Sequence, residues 1–490
     1  CLHSMSIIQG SSIPSAAGQD PFDTTVIPNS VWIDGTADFL SAELGAKTRT
    51  KVVIGTWFQK TGFTTGDATI FSKKGTAHFA MRMQDQASKQ GLISIFDFDG
   101  GDFQYSAESP SGGMVLRDIG WYHIMISIDT TAGAGSRLRY FINGIDRTST
   151  LNVDTDYTLN DNPSITGGSG EPTQWGVGPS GSSQFSPIYL AQSFMLDDDS
   201  IQNNDVAVPD ILDTFTYGTN GSQFAPKANS DIASLASSAG GDSFCLDYAN
   251  SSDLGNDISS NNNDFSPTSM AAINQTGNSP SNVYCTFNAL QPSTSTIALS
   301  EGNLRATASG GSDGGSLGTI PLSTSGTSEF QIKANDGDGR VGIIALDGAQ
   351  AVSIPSDNCA GGSGVNYNAS YQYSENGNVR QILSSGNTDV QTGIGTWSTN
   401  DIITVRYNAD DNELNFLKNN SAVGSTISTV AGLIYFPVVC RFSDYDITAF
   451  FDSSDFPHTI GSGNLEVTSA NSAAPDFQGK DFFDATLYEG

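Results

Sequence analysis

Apolar and polar residues alternate with a period of two along most of this chain, in short runs separated by Gly, Asn, Asp and Ser. Lys51–Lys60, His78–Met83, Gly91–Phe98 and Ile188–Asp197 all carry this pattern, the signature of strands with one face in a core. The clearest case is Gly120–Asp129. Tyr122, Ile124, Ile126 and Ile128 alternate there with Trp121, His123, Met125 and Ser127. Leu138, Tyr140 and Ile142 alternate next, and Asn143-Gly144 then supplies the positive φ angles of a type I′ hairpin turn. A second set of strand-like runs includes Glu329–Lys333, Arg340–Leu346, Tyr367–Tyr373 and Asp401–Asn408. Asp401–Asn408, Glu413–Leu417 and Asn419-Asn420 repeat the strand–turn–strand–Asn order of 120–144. That echo points to one sandwich design used twice. Helical patterning is confined to 209–213 and 231–236.

The expected fold class is all-β: two tandem concanavalin-like (jelly-roll) β-sandwiches joined by an Asn/Ser-rich connector. The expected boundaries are an N-terminal arm at 1–29, a first sandwich at 30–215, a connector at 216–285 and a second sandwich at 286–490. The connector reads as one strand at Phe244–Tyr248 followed by a loop of Asx-turns through Asp253–Phe265. A length of 490 residues exceeds what one core organises. Of the 52 acidic residues 43 are Asp and nine are Glu, so the formal charge of −31 is mostly turn acidity. Such a surface excludes nucleic acid as a partner, which needs basic patches. No apolar run reaches the length of a membrane span, and no secretory leader opens the sequence. Cys1, Cys245, Cys285, Cys359 and Cys440 form no metal-type spacing. They read as free buried thiols, with a Cys245–Cys285 bridge as the alternative.

Several strings carry a family likeness. Gly120–Asp129 with Asn143-Gly144 is similar to the "W-Y-H … N-G" elements of laminin-G/concanavalin-like domains. Ile33-Asp34-Gly35-Thr36-Ala37-Asp38-Phe39-Leu40-Ser41 matches "F-D-G-x-x-D-Y-L-S". Asp253–Phe265 matches "D-L-G-N-D-x-S-G-N-N-N-D-F/W", with Ser260 in place of Gly. Leu299–Leu304 reads "L-S-E-G-N-L", and Phe482–Gly490 matches "Y-F-D-x-x-L-Y-x-G". Together these resemble virion structural proteins of tailed bacteriophages, marine ones especially, in which a laminin-G-like domain precedes a SPRY-like domain. The resemblance implies a virion location, other virion proteins as partners, and recognition of host-surface glycan or protein by a tail fibre or appendage. It also implies a homo-oligomer, a trimer by analogy with fibres. The alternative within that setting is a capsid decoration or head-fibre protein that stabilises the shell.

Candidate chemistry is sparse. Concanavalin-like hydrolases of the retaining type need two carboxylates about 5–5.5 Å apart. A strand meets this with E-x-D-x-x-E, which the sequence lacks. The expectation is therefore a protein that is not an enzyme, and a secreted glycan hydrolase is the alternative of another class. Asp97 and Asp99 have i, i+2 spacing but lead into a Gly-Gly hairpin, which reads first as turn acidity. The laminin-G resemblance implies loop-held Ca²⁺, with Asp97, Asp99 and Asp102 as candidate metal ligands and Asp197, Asp198 and Asp199 as a second set. Trp175 and Trp397, flanked by polar and Gly residues, are the candidate ligand-binding aromatics. Trp32, Trp57 and Trp121 lie in strand patterns and read as core. His123 reads as structural or surface.

Overall fold

Each period-two run from Lys51 to Asp197 is a strand, because alternation places one set of side chains in a shared core and leaves the backbone to pair with its neighbours. The computed structural model describes residues 27–61, 66–84, 91–109, 120–197, 216–217, 223–224, 227–289, 297–308, 314–336, 339–346, 367–383, 386–441 and 444–472. The chain divides into two units, Gln19–Ser281 and the residues from Asn282 onward. Among the described residues no helix is long and apolar enough to cross a membrane. Residues 1–26 of the expected arm, the 209–213 segment and the 482–490 string lie outside the described residues.

The first unit opens with β1 (Ser30–Asp34), β2 (Phe39–Ala42), β3 (Lys51–Lys60), β4 (Asp67–Lys73), β5 (His78–Gln84), β6 (Leu92–Phe98) and β7 (Phe103–Glu108). It continues with β8 (Trp121–Asp129), β9 (Leu138–Ile142), β10 (Ile145–Asp146), β11 (Asn152–Thr155), β12 (Thr173–Trp175) and β13 (Pro187–Asp197). A small hairpin, β14 (Thr216–Tyr217) and β15 (Gln223–Phe224), precedes the helix α1 (Asn229–Ala239). Then come β16 (Phe244–Leu246), β17 (Ser266–Thr268) and β18 (Gln275–Thr276). One antiparallel sheet runs β10-β9-β8-β3-β13-β1-β18, with β16 also on β13; the other runs β11-β7-β6-β5-β4-β12-β2-β17. Ile54, Phe58, Ile124, Ile126, Phe71, Phe79, Met81 and Ile95 fill the space between the sheets.

The segment expected to be a connector is part of this sandwich. β16 pairs with β13, β17 with β2 and β18 with β1. Phe244, Leu246, Tyr248, Leu254 and Phe265 belong to the same buried cluster as Ile54 and Phe71. The boundary accordingly falls after Ser281 and not at residue 215. At the other end, buried Ile27 donates its backbone N–H to Ser281 Oγ at 3.1 Å, so the last residues of the expected arm also belong to the unit.

The second unit has β19 (Ile297–Ser300), β20 (Arg305–Ala308), β21 (Gly314–Leu317), β22 (Thr327–Ala334), β23 (Arg340–Leu346), β24 (Tyr367–Ser374) and β25 (Val379–Leu383). After these come β26 (Gly386–Gln391), β27 (Ile402–Asn408), β28 (Glu413–Lys418), β29 (Ser421–Ser428), β30 (Tyr435–Arg441) and β31 (Tyr445–Phe450). Its sheets run β19-β20-β31-β22-β27-β28-β29 and β21-β30-β23-β24-β25-β26. Taken in chain order, β20 to β31 occupy the same sheet positions as β1 to β10 followed by β12 and β13. The hairpin echo is therefore a repeat of the whole topology. Its turns match in detail. Asn143 and Gly144 have φ of 48° and 74°, and Asn419 and Asn420 have 47° and 64°, as two-residue type I′ turns require. In both, the Asn side chain accepts from the start of a neighbouring strand: His123 N–H to Asn143 Oδ1 at 2.8 Å, and Ile402 N–H to Asn419 Oδ1 at 2.9 Å.

Cys245 and Cys285 are buried and free. Cys440 is disulfide-bonded, which departs from the expectation of free thiols throughout.

Candidate functional site

Alternation along β5, β6 and β7 sends Met81, Met83, Ile93, Ile95, Tyr105 and Ala107 into the core. The residues between them face away from it. Here the second face is neither bare nor purely charged: it forms a groove of about 710 Å³ lined by Arg82, Gln84, Ser94, Phe96, Phe103 and Glu108, and by Asn152–Asp154 of β11. Strand register places Asn152, Glu108, Ser94 and Arg82 in one row across four strands. At the usual interstrand spacing that row is about 14 Å long.

Two features shape the groove. Arg82 is held in place: its guanidinium lies 4.7 Å from the Phe96 ring centroid, and its Nη1 is 2.8 Å from Asp67 Oδ2. Phe103 packs edge-on against Phe96 and Phe98, at 6.2 and 5.5 Å, yet remains 49% exposed; Val153 is 48% exposed. Arg82 Nε and Gln84 Oε1 are buried and find no hydrogen-bond partner among the described residues. A buried acceptor without a partner carries a desolvation penalty of about 1–3 kcal/mol. The sequence signal for this face was present in the outward positions of β5 to β7, where aromatics and long polar residues alternate with the core set.

The residues singled out from sequence lie elsewhere. Trp175 is fully buried, its ring 4.8 Å from Phe71 in an edge contact and 6.4 Å from Phe244. It sits on β12, a three-residue strand paired on both sides, too short to show a period in sequence. Burying an indole removes roughly 150–250 Å² from water. At about 25 cal/mol/Å² that is at most about 4–6 kcal/mol, so the core holds this side chain against surface stacking. Trp397 is 3% exposed and packs near Tyr373 in the second unit. Neither Trp is available to stack on a sugar.

The proposed calcium ligands do not converge. Asp97 points to the core side of β6, opposite the groove. Asp99 is spent on its own turn, accepting from the N–H groups of Gly101 and Asp102 at 2.8 Å each, with its carboxyl held below the usual range by those bonds. Among the described residues no three His, Cys, Asp or Glu side chains gather as a metal site. In the second set Asp197 is engaged by Arg49, and Asp198 and Asp199 lie outside the described residues. His123 is fully buried, 5.2 Å from Trp57 by ring centroids, and burial pushes its imidazole down to about 3, so it is neutral and structural.

Asp97 carries a testable consequence. Its Oδ2 accepts from Tyr157 Oη at 2.9 Å and from Ser164 N–H at 3.0 Å, while Oδ1 is buried with no hydrogen-bond partner among the described residues. Burial outweighs these bonds and raises its pKa to about 6. A carboxyl whose folded pKa is raised favours the folded state most below its unfolded value near 4, and loses that contribution as pH rises through about 6. Asp97→Asn keeps the acceptor and removes the charge. It is expected to stabilise the first unit by on the order of 2 kcal/mol at pH 8 and to be close to neutral at pH 4. Urea unfolding at the two pH values measures this. A variant less stable than the wild type at pH 8 would sink the account.

No protein-family model matches the sequence, and no curated protein matches it. Among solved structures the chain is similar to the PSpry domain of TRIM65, at 11% identity and TM-score 0.27, covering 34% of this chain and 92% of that one. It is also similar to the SPRY domain of human HERC1, at 15% identity and TM-score 0.25, covering 33% and 96%. A heptameric SAP-like pentraxin from Limulus polyphemus is similar at 12% identity and TM-score 0.26, covering 35% and 76%. These likenesses concern fold alone. The sheets themselves place the chain among all-β proteins built of antiparallel β-sandwiches.

Proposed function

We propose that this chain is a non-enzymatic structural protein of a tailed-phage particle, a fibre or other appendage that recognises glycan or protein on the host surface. The observation that carries the reading is the string Asp253–Phe265, the longest of those that resemble the phage proteins. Leu254 and Phe265 are core residues, and the Asp257 carboxylate accepts from the backbone N–H groups of Cys245, Ser259 and Asn263 at 2.9 Å each. A string used this fully travels with a whole domain, and so supports reading the resemblance as one of domain and setting. Repetition of one sandwich topology in both units fits a surface module, and many copies on a particle would multiply weak single-site affinity. A homo-oligomer, trimeric by the fibre analogy, would supply those copies.

A hydrolase acting in this groove would use Glu108 and Asp154, the carboxylates that line it, because Asp97 faces the core. Imaging of particles carrying a labelled copy tests the main reading. Label at the tail or tail tip is the expected result, label over the capsomers would favour a shell-stabilising role, and unlabelled particles would sink the proposal. Release of oligosaccharide from polysaccharide by the purified chain, lost in Glu108→Gln, would overturn the non-enzymatic part.

A further inference from the structure

We infer that the groove on the outer face of β5, β6, β7 and β11 binds an uncharged oligosaccharide, laid along the row from Asn152 to Arg82. The inference rests on the recognition reading and assigns its site and ligand class. Three observations converge on it. Gln84 is 6% exposed, lines the groove, and has an Oε1 with no hydrogen-bond partner among the described residues; Arg82 Nε beside it likewise has none among them. A hydroxyl-rich ligand, both donor and acceptor at each hydroxyl, serves such a mixed pair directly or through a shared water. Phe103 and Val153, each about half exposed, offer apolar surface at the rim for the faces of sugar rings. The groove is an open shelf and not a deep apolar pocket, which suits a chain of rings over a peptide anchored by one large side chain.

Charge selects among glycans. Glu108 and Asp154 line the groove, and the one Arg there is already paired with Asp67. The whole chain carries −31. A sulfated or uronic-acid polymer would meet like charge at the groove and across the surrounding surface. An uncharged glycan would not, and its binding would change little with salt.

The test uses the full chain on two immobilised panels, uncharged hexose oligosaccharides and sulfated or uronic-acid oligosaccharides. Binding to the first panel is expected, with less than twofold change between low and physiological salt. Phe103→Ala and Val153→Ser are expected to weaken it at least tenfold. Ile145→Ser, at a 53% exposed residue on the other sheet, is expected to leave it unchanged. Gln84→Met separates a ligand role from a structural one. Removing a buried acceptor without a partner leaves stability equal or higher, so unchanged Tm with a tenfold loss of binding supports the site. Unchanged binding in Gln84→Met together with Phe103→Ala overturns it, as does preference for the anionic panel. A blank uncharged panel from protein that still binds host cells overturns the glycan inference and leaves the recognition reading standing. Uncharged-panel binding through the groove, by a protein missing from labelled particles, does the reverse.

Discussion

Replacing Arg49 by Ala is expected to destabilise the first unit by about 3–5 kcal/mol, the largest single effect the structure implies. Arg49 is 1% exposed, and its Nε donates to Asp197 Oδ1 at 3.0 Å, its Nη2 to Asp242 Oδ2 at 2.9 Å and its Nη1 to Thr166 Oγ1. Its own backbone N–H donates to Asn162 Oδ1 at 2.8 Å. One guanidinium thus ties the segment before β3 to the end of β13 and to the turns before β12 and β16. Removing it strands Asp197, itself 1% exposed, with the half-exposed Lys47 ammonium at 3.4 Å as its remaining cation among the described residues. Burial and the charge of Asp197 already push the Asp242 carboxyl upward, so without the guanidinium between them the two acids repel. Four of the five tryptophans lie in the first unit, so urea unfolding followed by Trp fluorescence reports mainly on it. With a slope of about 3 kcal/mol/M, the midpoint falls by about 1 M or more. Arg49→Met combined with Asp197→Asn is expected to lose less than Arg49→Met alone, because the uncompensated charge is gone. A single variant within 1 kcal/mol of the wild type would refute the account.

The second large effect lies in the string Asp253–Phe265. Asp257→Ala leaves the N–H groups of Cys245, Ser259 and Asn263 without their acceptor, and Ser259 Oγ without its partner at 2.8 Å. At about 1–3 kcal/mol for each unsatisfied buried group, part of it relieved by water, the expected loss is on the order of 4 kcal/mol. Gly255→Ala reaches a similar size by another route, because its Cβ would stand 1.7 Å from the Phe265 carbonyl oxygen. That oxygen belongs to backbone held by the Phe265 N–H bond to Gly255 O at 2.8 Å, so the chain itself must move. Asn261 completes the unit. Its Nδ2 donates to the carbonyls of Ala236, Gly240 and Ser243 at 2.9–3.0 Å, closing the C-terminal end of α1. Asn262 takes a φ of 55°, which Asn tolerates better than most residues. Ser260, where the resembling proteins have Gly, is exposed and donates its N–H to Ser237 Oγ at 2.9 Å. Asp257→Asn, which keeps one acceptor oxygen, should fall between the wild type and Asp257→Ala. Equal unfolding midpoints for Asp257→Ala and the wild type would remove this segment from the folded core.

Much of this was legible in the chain, and the division has a physical basis. Period-two alternation named the long strands, because a strand with one face in a core must alternate whatever its partners. Asn143-Gly144 and Asn419-Asn420 named their turns, because positive φ at two successive residues admits few side chains. Three things waited for tertiary structure. Residues 241–281 read as a linker because polar groups there do what strand partners do elsewhere: Asn274 Nδ2 donates to Trp32 O and Asn278 O accepts from Ser30 Oγ, across more than 200 residues, and sequence does not say which segments those are. Trp175 looked like a loop aromatic because three residues are too few to show a period. The groove was invisible because a face exists only once β11, β7, β6 and β5 are in register, bringing Asn152, Glu108, Ser94 and Arg82 from separate runs into one row. Local sterics and periodicity determined the elements and their turns; which polar groups found partners across long sequence separations, and which were left facing a groove, was decided by how the two sheets of the first unit closed.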